Sequence, residues 1–193
     1  MVFKPSVAVY DACVLYPFHL RNILVQFAAD GLVDAHWSEE IHEEWIRNLA
    51  ANVSTASVER LRLTRDKMNQ ALPAATVADY QPHPHISSIN LPDPNDRHVV
   101  AAGIAAGASM IVTWNLRDFP AAELKRLGMK RLTPDTFLTG IAKERLDAVV
   151  SATANARRNL RRSSMPVTEF LQALEHQKLV RFVAEIAERS SEL

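Results

Sequence analysis

The stretch Leu91-Pro-Asp-Pro-Asn-Asp-Arg-His-Val-Val-Ala-Ala-Gly-Ile-Ala-Ala-Gly107, continuing through Ala-Ser-Met-Ile-Val-Thr113 to Trp-Asn-Leu-Arg-Asp-Phe-Pro120, decides how the rest of the chain is read. Asp93 suits a helix N-cap with Pro94 at the first helical position, and an Ala-rich body runs from there to the helix stop at Gly107. A short apolar strand then delivers Asn115 and Asp118. The result is one αβ unit with a carboxylate at each end. Helical spacing puts Asp96, Val99, Val100 and Gly103 on one face, so Asp96 heads the stripe that packs on the sheet. Two readings stand. Asp93 and Asp96 are first-turn acids that complement the helix dipole, or Asp96 points at a cation shared with other acids. A hard divalent cation takes several oxygen ligands and usually keeps some waters, so the second reading requires further acids at neighbouring strand or helix ends.

Toward the N-terminus, Val7-Ala-Val-Tyr10 is an apolar run ending in Asp11, which reads as a buried strand with an acid at its carboxyl end. In open parallel sheets that edge is where ligands bind. Leu20, Ile23, Leu24 and Phe27 recur at helical spacing and the helix closes at Gly31. Val33–Trp37 reads as a second short strand, and Ser38 with Glu39 and Glu40 behind it as a helix start. With Ile41 at the centre of the buried face, Glu44 lies about 60° away and Trp45 about 40°, whereas Glu43 turns to the far side. Glu44 is then a core-side candidate, or a boundary residue that reaches water or pairs with Arg47 or Arg21. Residues 54–72 read as a helix with Leu61, Met68 and Leu72 inward and its charges solvated. Pro73 ends it, and 74–90 reads as a loop with one short strand at Thr76–Asp79. His83 and His85 lack the cysteine partners or helical spacing of a zinc site.

Toward the C-terminus come a short helix ending at Leu127-Gly128, a strand at Lys130–Leu132, and Thr133 capping a helix with Pro134 in its first turn. Residues 136–193 are helical in pattern: one helix through about Arg162, a break at Ser163-Ser-Met-Pro166, and a second helix carrying Phe170, Leu171, Leu174, Leu179, Phe182, Val183 and Ile186. The expected organisation is an α/β domain on 1–135 and a helical hairpin on 136–193. Arg157, Arg158, Arg161 and Arg162 form a concentrated basic patch, suited to grip phosphates or an acidic partner, or simply an exposed helix end.

At 193 residues the chain holds one domain, or a domain with an appendage. Its 48% hydrophobic content is that of a globular protein, with no apolar run of bilayer length and no signal-peptide pattern, so no membrane partner and a cytoplasmic location are expected. Lys+Arg of 22 against Asp+Glu of 22 leaves no net charge, which disfavours a non-specific nucleic-acid binder yet is compatible with a nuclease whose acidic site holds cations. The single Cys13 excludes an intramolecular disulfide and a multi-cysteine zinc site. Neither a P-loop nor a Gly-x-Gly-x-x-Gly turn occurs.

Four motifs in order, Tyr-Asp11-Ala-Cys-Val-Leu-Tyr-Pro, Trp-Ser38-Glu-Glu-Ile-His-Glu-Glu44-Trp-Ile-Arg, Leu-Pro-Asp93-Pro-Asn-Asp96-Arg-His-Val-Val-Ala-Ala and Ile-Val-Thr113-Trp-Asn115-Leu-Arg-Asp118-Phe-Pro, resemble the successive acidic motifs of PIN-domain ribonucleases, including the VapC-type toxins of bacterial toxin–antitoxin pairs. The resemblance covers about residues 5–135. It implies a three-layer α/β/α fold with a central parallel sheet. It also implies Asp11 as first acid, Glu44 as the helix glutamate, Asp96 as third acid with Asp93 accessory, and Asn115 with Asp118 as the last motif. Mg²⁺ or Mn²⁺ at this cluster, RNA as substrate and a cognate antitoxin as partner follow from it, and it leaves room for a homodimer. Cys13 stands where many members carry Asn or Ser, and a thiol replaces those groups poorly, so that position's contact is expected to suffer. Clustered carboxylates that hold one or two divalent ions can orient and activate water for in-line attack on a phosphodiester. Such acids repel one another when the site holds no cation. Two other classes compete. One is a phosphohydrolase with Asp11 as nucleophile, whose usual partner acid two residues on is here Cys13. The other is a non-catalytic scaffold of the same shape that binds a protein partner.

Overall fold

The computed structural model describes residues 4–77, 88–160 and 164–193. Four short strands, β1 (Ser6–Tyr10), β2 (Val33–His36), β3 (Met110–Val112) and β4 (Lys130–Leu132), form one parallel sheet in the order β2-β1-β3-β4. The central strands are continuous apolar runs because both faces are covered: Ala8, Val9, Tyr10, Met110, Ile111 and Val112 are all buried. The edge strands expose Asp34 and Lys130, charges that discourage pairing with another chain.

Alternation along β1 assigns the layers. Val9 points to α5 (Arg97–Ala105), where a Cβ added at Gly103 would lie 2.8 Å from the Met129 sulfur and 3.8 Å from Val9 Cγ2. Glycine therefore lets this helix approach the sheet closely. Tyr10 points the other way. Its hydroxyl donates to the Leu24 carbonyl of α2 (Phe18–Ala29) at 3.4 Å, and its ring meets Phe137 of α7 (Pro134–Glu144) edge-on at 6.2 Å. Helices on both faces of a parallel sheet make the expected three-layer α/β/α fold.

The remaining elements follow their local signals. α1 (Ala12–Leu15) leaves β1, and α3 (Glu39–Asn52) is capped by Ser38, whose hydroxyl accepts from Ile41 N at 3.3 Å. α4 (Val58–Ala71) starts at its Ser57 cap, four residues later than the periodicity suggests, and α6 (Ala121–Arg126) follows Pro120. The helix expected to start at Asp93 opens instead with a 3-10 turn, Pro94–Asp96, because the Asp93 carboxylate accepts from Asn95 N at 2.9 Å and tightens it. Thr76 bridges to Trp37 and Val77 N donates to the Trp37 carbonyl at 2.9 Å, while residues 78–79 of the strand expected there, and His83 and His85, lie outside the described residues.

The C-terminal hairpin is a correction. Among the described residues, 134–186 hold four helices: α7, α8 (Leu146–Arg158), α9 (Val167–His176) and α10 (Val180–Ile186). The chain breaks at Arg145 and again at Lys178, which adopts φ 64°. Each break turns the next helix back onto the core. Asn22 Nδ2 donates to the Ala156 carbonyl at 2.8 Å, joining α2 to α8. Phe182 N donates to Asp135 Oδ1 at 2.8 Å, joining α10 to α7, and Phe27 meets Phe182 at 6.0 Å. One apolar cluster runs from β1 and β3 through Phe137, Val149, Phe170 and Phe182. Apolar periodicity continues across these tight bends, so the pattern alone joins the helices in pairs.

Candidate functional site

Strand register builds the site. Tyr10 pairs with Val112 and Val112 with Leu132, so the residues that follow them emerge level at the carboxyl edge. Asp11 N donates to Val112 O at 3.1 Å and Thr113 N to Leu132 O at 3.0 Å, extending the ladder by one step. This places the Thr113 hydroxyl 2.6 Å from Asp11 Oδ2, to which it donates. Cys13 Sγ donates to the same oxygen at 3.1 Å and accepts from Trp114 N at 3.3 Å. Burial pushes the Asp11 carboxyl up, and the charge of Glu44 pushes the same way against the lowering donors Thr113, Cys13 and the Ala12 amide. The contact doubted at Cys13 is present. Burial, then the Asp11 charge, push that thiol far above its ordinary range, so it stays protonated and serves as a donor.

Asp96 is half-buried at the foot of α5, and its Oδ2 is shielded from solvent with no hydrogen-bond partner. Its carboxyl is pushed up to about 7, by burial first and then by the charges of Asp11, Asp93, Asp118 and Glu44. These five acids therefore share one field. Asp118 accepts from Asn115 Nδ2, and Asn115 N donates to Thr113 Oγ1 at 2.8 Å. The Arg131 guanidinium donates to the carbonyls of Leu116 and Phe119 and so holds the loop that carries both.

Glu44 lies on the inward side of α3, but its partner is neither Arg47 nor Arg21. His98 Nε2 stands 3.4 Å from its carboxylate, while His98 Nδ1 donates to the Asn95 carbonyl at 2.6 Å. Burial alone would lower the His98 pKa, and the Glu44 and Asn95 contacts outweigh it and raise it. Arg21 instead lies buried 4.7 Å over the Trp45 ring, donating to Leu15 O at 2.5 Å. Glu43 pairs outward with Arg62 at 3.5 Å and Arg65 at 3.3 Å. His98 and Arg131 are site residues that sequence reading passed over. His98 offered only its place inside the Asp96 motif, and Arg131 no signal at all.

Two residues before Glu44 on the same helix, His42 is buried and fully paired. Its Nδ1 accepts from Trp45 Nε1 at 2.9 Å and its Nε2 donates to Asn69 Oδ1 at 3.1 Å, an oxygen that also accepts from Trp37 Nε1 at 2.9 Å. Burial holds the imidazole neutral, with a pKa of about 4. The orientation of α3, and of Glu44 with it, is fixed by this network.

Glu44, Asp93, Asp96 and His98 line an open cleft of about 550 Å³ together with Glu40, Glu43 and Arg47. Among the described residues, no three Asp, Glu, His or Cys side chains meet closely enough to cage an ion unaided. The acids feel one another's charge without converging on one point. That suits a hard cation which keeps several waters and takes only one or two carboxylates directly, and the unpartnered Asp96 Oδ2 is an oxygen such an ion would satisfy.

Two arginines of the expected patch lie among the described residues. Arg157 turns inward, donating to Leu193 O at 3.2 and 3.0 Å and to Met165 O at 3.0 Å, and Arg158 is tied to Asn155 at 2.7 Å. Asn155 and Asn159 contact Asp30 and Gln26 in the last turn of α2, the end that feeds β2 and lies away from Asp11. Arg161 and Arg162 are outside the described residues.

Among the described residues no helix is long and apolar enough to cross a membrane. The family model of the PIN domain matches residues 7–117, and that of the VapC50 C-terminal domain matches residues 134–188. A protein of Mycobacterium tuberculosis (strain ATCC 25618 / H37Rv), named "Putative ribonuclease VapC50", is 51% identical over 43 residues, which is 22% of this chain and 25% of that protein's length. No solved structure matches the chain.

Proposed function

We propose that this chain, which belongs to the PIN-domain family, is a divalent-metal-dependent endoribonuclease acting as the toxin of a toxin–antitoxin pair, with a cognate antitoxin protein as partner. The observation that carries the reading is the shared field of Asp11, Glu44, Asp93, Asp96 and Asp118, strong enough to lift Asp96 to about 7. A surface built only to hold a protein has no use for so much unneutralised like charge, whereas a cation site does. The likeness to the VapC50 C-terminal domain and to the named ribonuclease supports the toxin assignment.

Mg²⁺ or Mn²⁺, when bound, would lower the pKa of a coordinated water and offset charge on the phosphorane. Asp11 and Asp96 would hold the ion, with Glu44, Asp118, Asn115 and Asp93 reaching it directly or through its waters. Thr113 and Cys13 keep the Asp11 carboxylate in one orientation, since both donate to Oδ2. His98 steadies Glu44 from across the cleft. Arg131 and Asn115 keep Asp118 at the same edge.

The test is cleavage of a single-stranded RNA by purified protein. Cleavage should vanish in EDTA and return with Mg²⁺ or Mn²⁺, and Asp96→Asn should lower it by about a hundredfold or more while the metal-free fold melts no lower. Cleavage that ignores EDTA, or an Asp96→Asn variant as active as the wild type, would remove the basis for this function.

A further inference from the structure

Trp114 and Lys178, 64 positions apart in the numbering, meet beside the acids. Trp114 directly follows Thr113 at the carboxyl edge. Its amide donates to the Cys13 sulfur at 3.3 Å and that thiol donates to Asp11 at 3.1 Å, so two hydrogen bonds separate it from the first acid. The indole is only part-buried. Lys178 is exposed in the turn between α9 and α10, with Nζ 5.8 Å from the centre of the Trp114 ring. The turn is pinned to the start of α2, where Leu20 N donates to Gln177 Oε1 at 2.6 Å.

The backbone at Lys178 is the telling feature. Leu179 N donates to Leu174 O at 3.1 Å and Lys178 N to Glu175 O at 2.8 Å. This is the paired helix ending whose left-handed residue is usually glycine. Lys178 occupies that position at φ 64°, where a side chain is less comfortable than none. It forms no ion pair among the described residues, and the contact its ammonium makes is with Trp114. A lysine kept where glycine would serve the fold better points to a use for the side chain.

We propose that Trp114 and Lys178 form a subsite for single-stranded RNA at the lip of the acidic edge: the indole stacks a base and the ammonium takes the neighbouring phosphate. The C-terminal helices thereby supply part of the substrate path. Every base has a π face, so an aromatic platform with an adjacent cation holds a strand with little sequence preference. A positive group at this lip also draws the phosphate backbone toward an edge whose acids repel it. The proposal rests on the ribonuclease reading above.

The experiment titrates the full chain into a fluorescein-labelled single-stranded RNA in EDTA, by anisotropy, over a range of NaCl concentrations. Lys178→Gly should melt no lower than wild type, bind roughly fivefold more weakly, and show a salt slope shallower by about 0.7, the counterion release of one single-strand phosphate contact. Trp114→Ala should weaken binding about tenfold and Trp114→Phe should restore most of it. Mn²⁺ affinity by calorimetry should be unchanged in Lys178→Gly. If Lys178→Gly melts lower while its RNA affinity and slope stay unchanged, the lysine is a clip for the turn and the subsite is wrong. If an acidic peptide competes as well as unlabelled RNA, the surface belongs to a protein partner and the RNA assignment is overturned. A wild type that neither binds RNA here nor cleaves it with Mn²⁺ sinks the ribonuclease reading itself, whereas a wild type that binds RNA alongside unaltered variants sinks the subsite alone.

Discussion

His42 and Glu44 are two residues apart on α3 and handle buried polarity in opposite ways. Around His42 every polar atom has a partner. Trp45 donates to one ring nitrogen, Asn69 accepts from the other, and burial keeps the ring neutral. Around Glu44 the balance is left open. Asp96 Oδ2 has no partner, four other acids push on the Asp96 carboxyl, and the Glu44 carboxylate faces the His98 ring at 3.4 Å. A satisfied network stabilises and fixes one conformation, while an unsatisfied one stays costly until a cation or a proton relieves it. The first holds the helix so that the second stays assembled.

The largest expected effect breaks the satisfied side. His42→Ala leaves the Trp45 indole N–H without its acceptor and a void in the core, and should cost about 3 kcal/mol of stability by chemical denaturation. A loss within experimental error would show that the network is incidental. The next effect sharpens the contrast between neighbours that differ only in facing. Glu44→Gln should lower metal-dependent RNA cleavage by at least about tenfold, while Glu43→Gln, which loses exposed pairs to Arg62 and Arg65, should stay within about twofold of wild type and shift stability by less than about 1 kcal/mol. Equal losses in the two variants would contradict the placement of the helix face.

The smallest effect is a pH dependence. Asp96 is raised from its ordinary 3.8 to about 7, so the metal-free folded chain binds this proton more tightly than the unfolded chain does. The stability contributed is complete below about 4 and is lost as pH rises through about 7. His98, also raised, acts in the same direction: its contribution is present below its ordinary 6.5 and is lost as pH climbs through the raised value. In EDTA the melting temperature should fall by roughly 3 °C between about pH 5 and pH 8, and Asp96→Asn should flatten much of that fall. An unchanged slope in Asp96→Asn would place the strain on another group.

Much of the fold is legible in the sequence because its signals are local. The apolar run ending at Asp11, the Ser38 and Thr133 caps, and the glycine stops at Gly31 and Gly107 each act within a few residues, and each element forms where they place it. The bends at Arg145 and Lys178 were not legible, because a single non-helical residue inside an amphipathic run leaves the apolar period almost unbroken. Nor was the inward turn of Arg157, whose acceptors lie on Met165 and Leu193 and whose charge alone suggested solvent.

What the sequence by itself determined is which acids stand at which ends of which elements, since strand alternation, helical spacing and capping are properties of neighbours in the chain. What only the tertiary structure decided is what those acids experience. The hydroxyl that holds Asp11 is 102 residues away on Thr113, and the thiol that shares the task also reaches the amide of Trp114, 101 residues from it. The charges that lift Asp96 come from Asp11 at the end of β1, from Asp93 beside it, from α3 and from the loop after β3, and the lysine over Trp114 comes from the turn between α9 and α10. Burial and electrostatic fields depend on distance through space, and folding alone sets those distances.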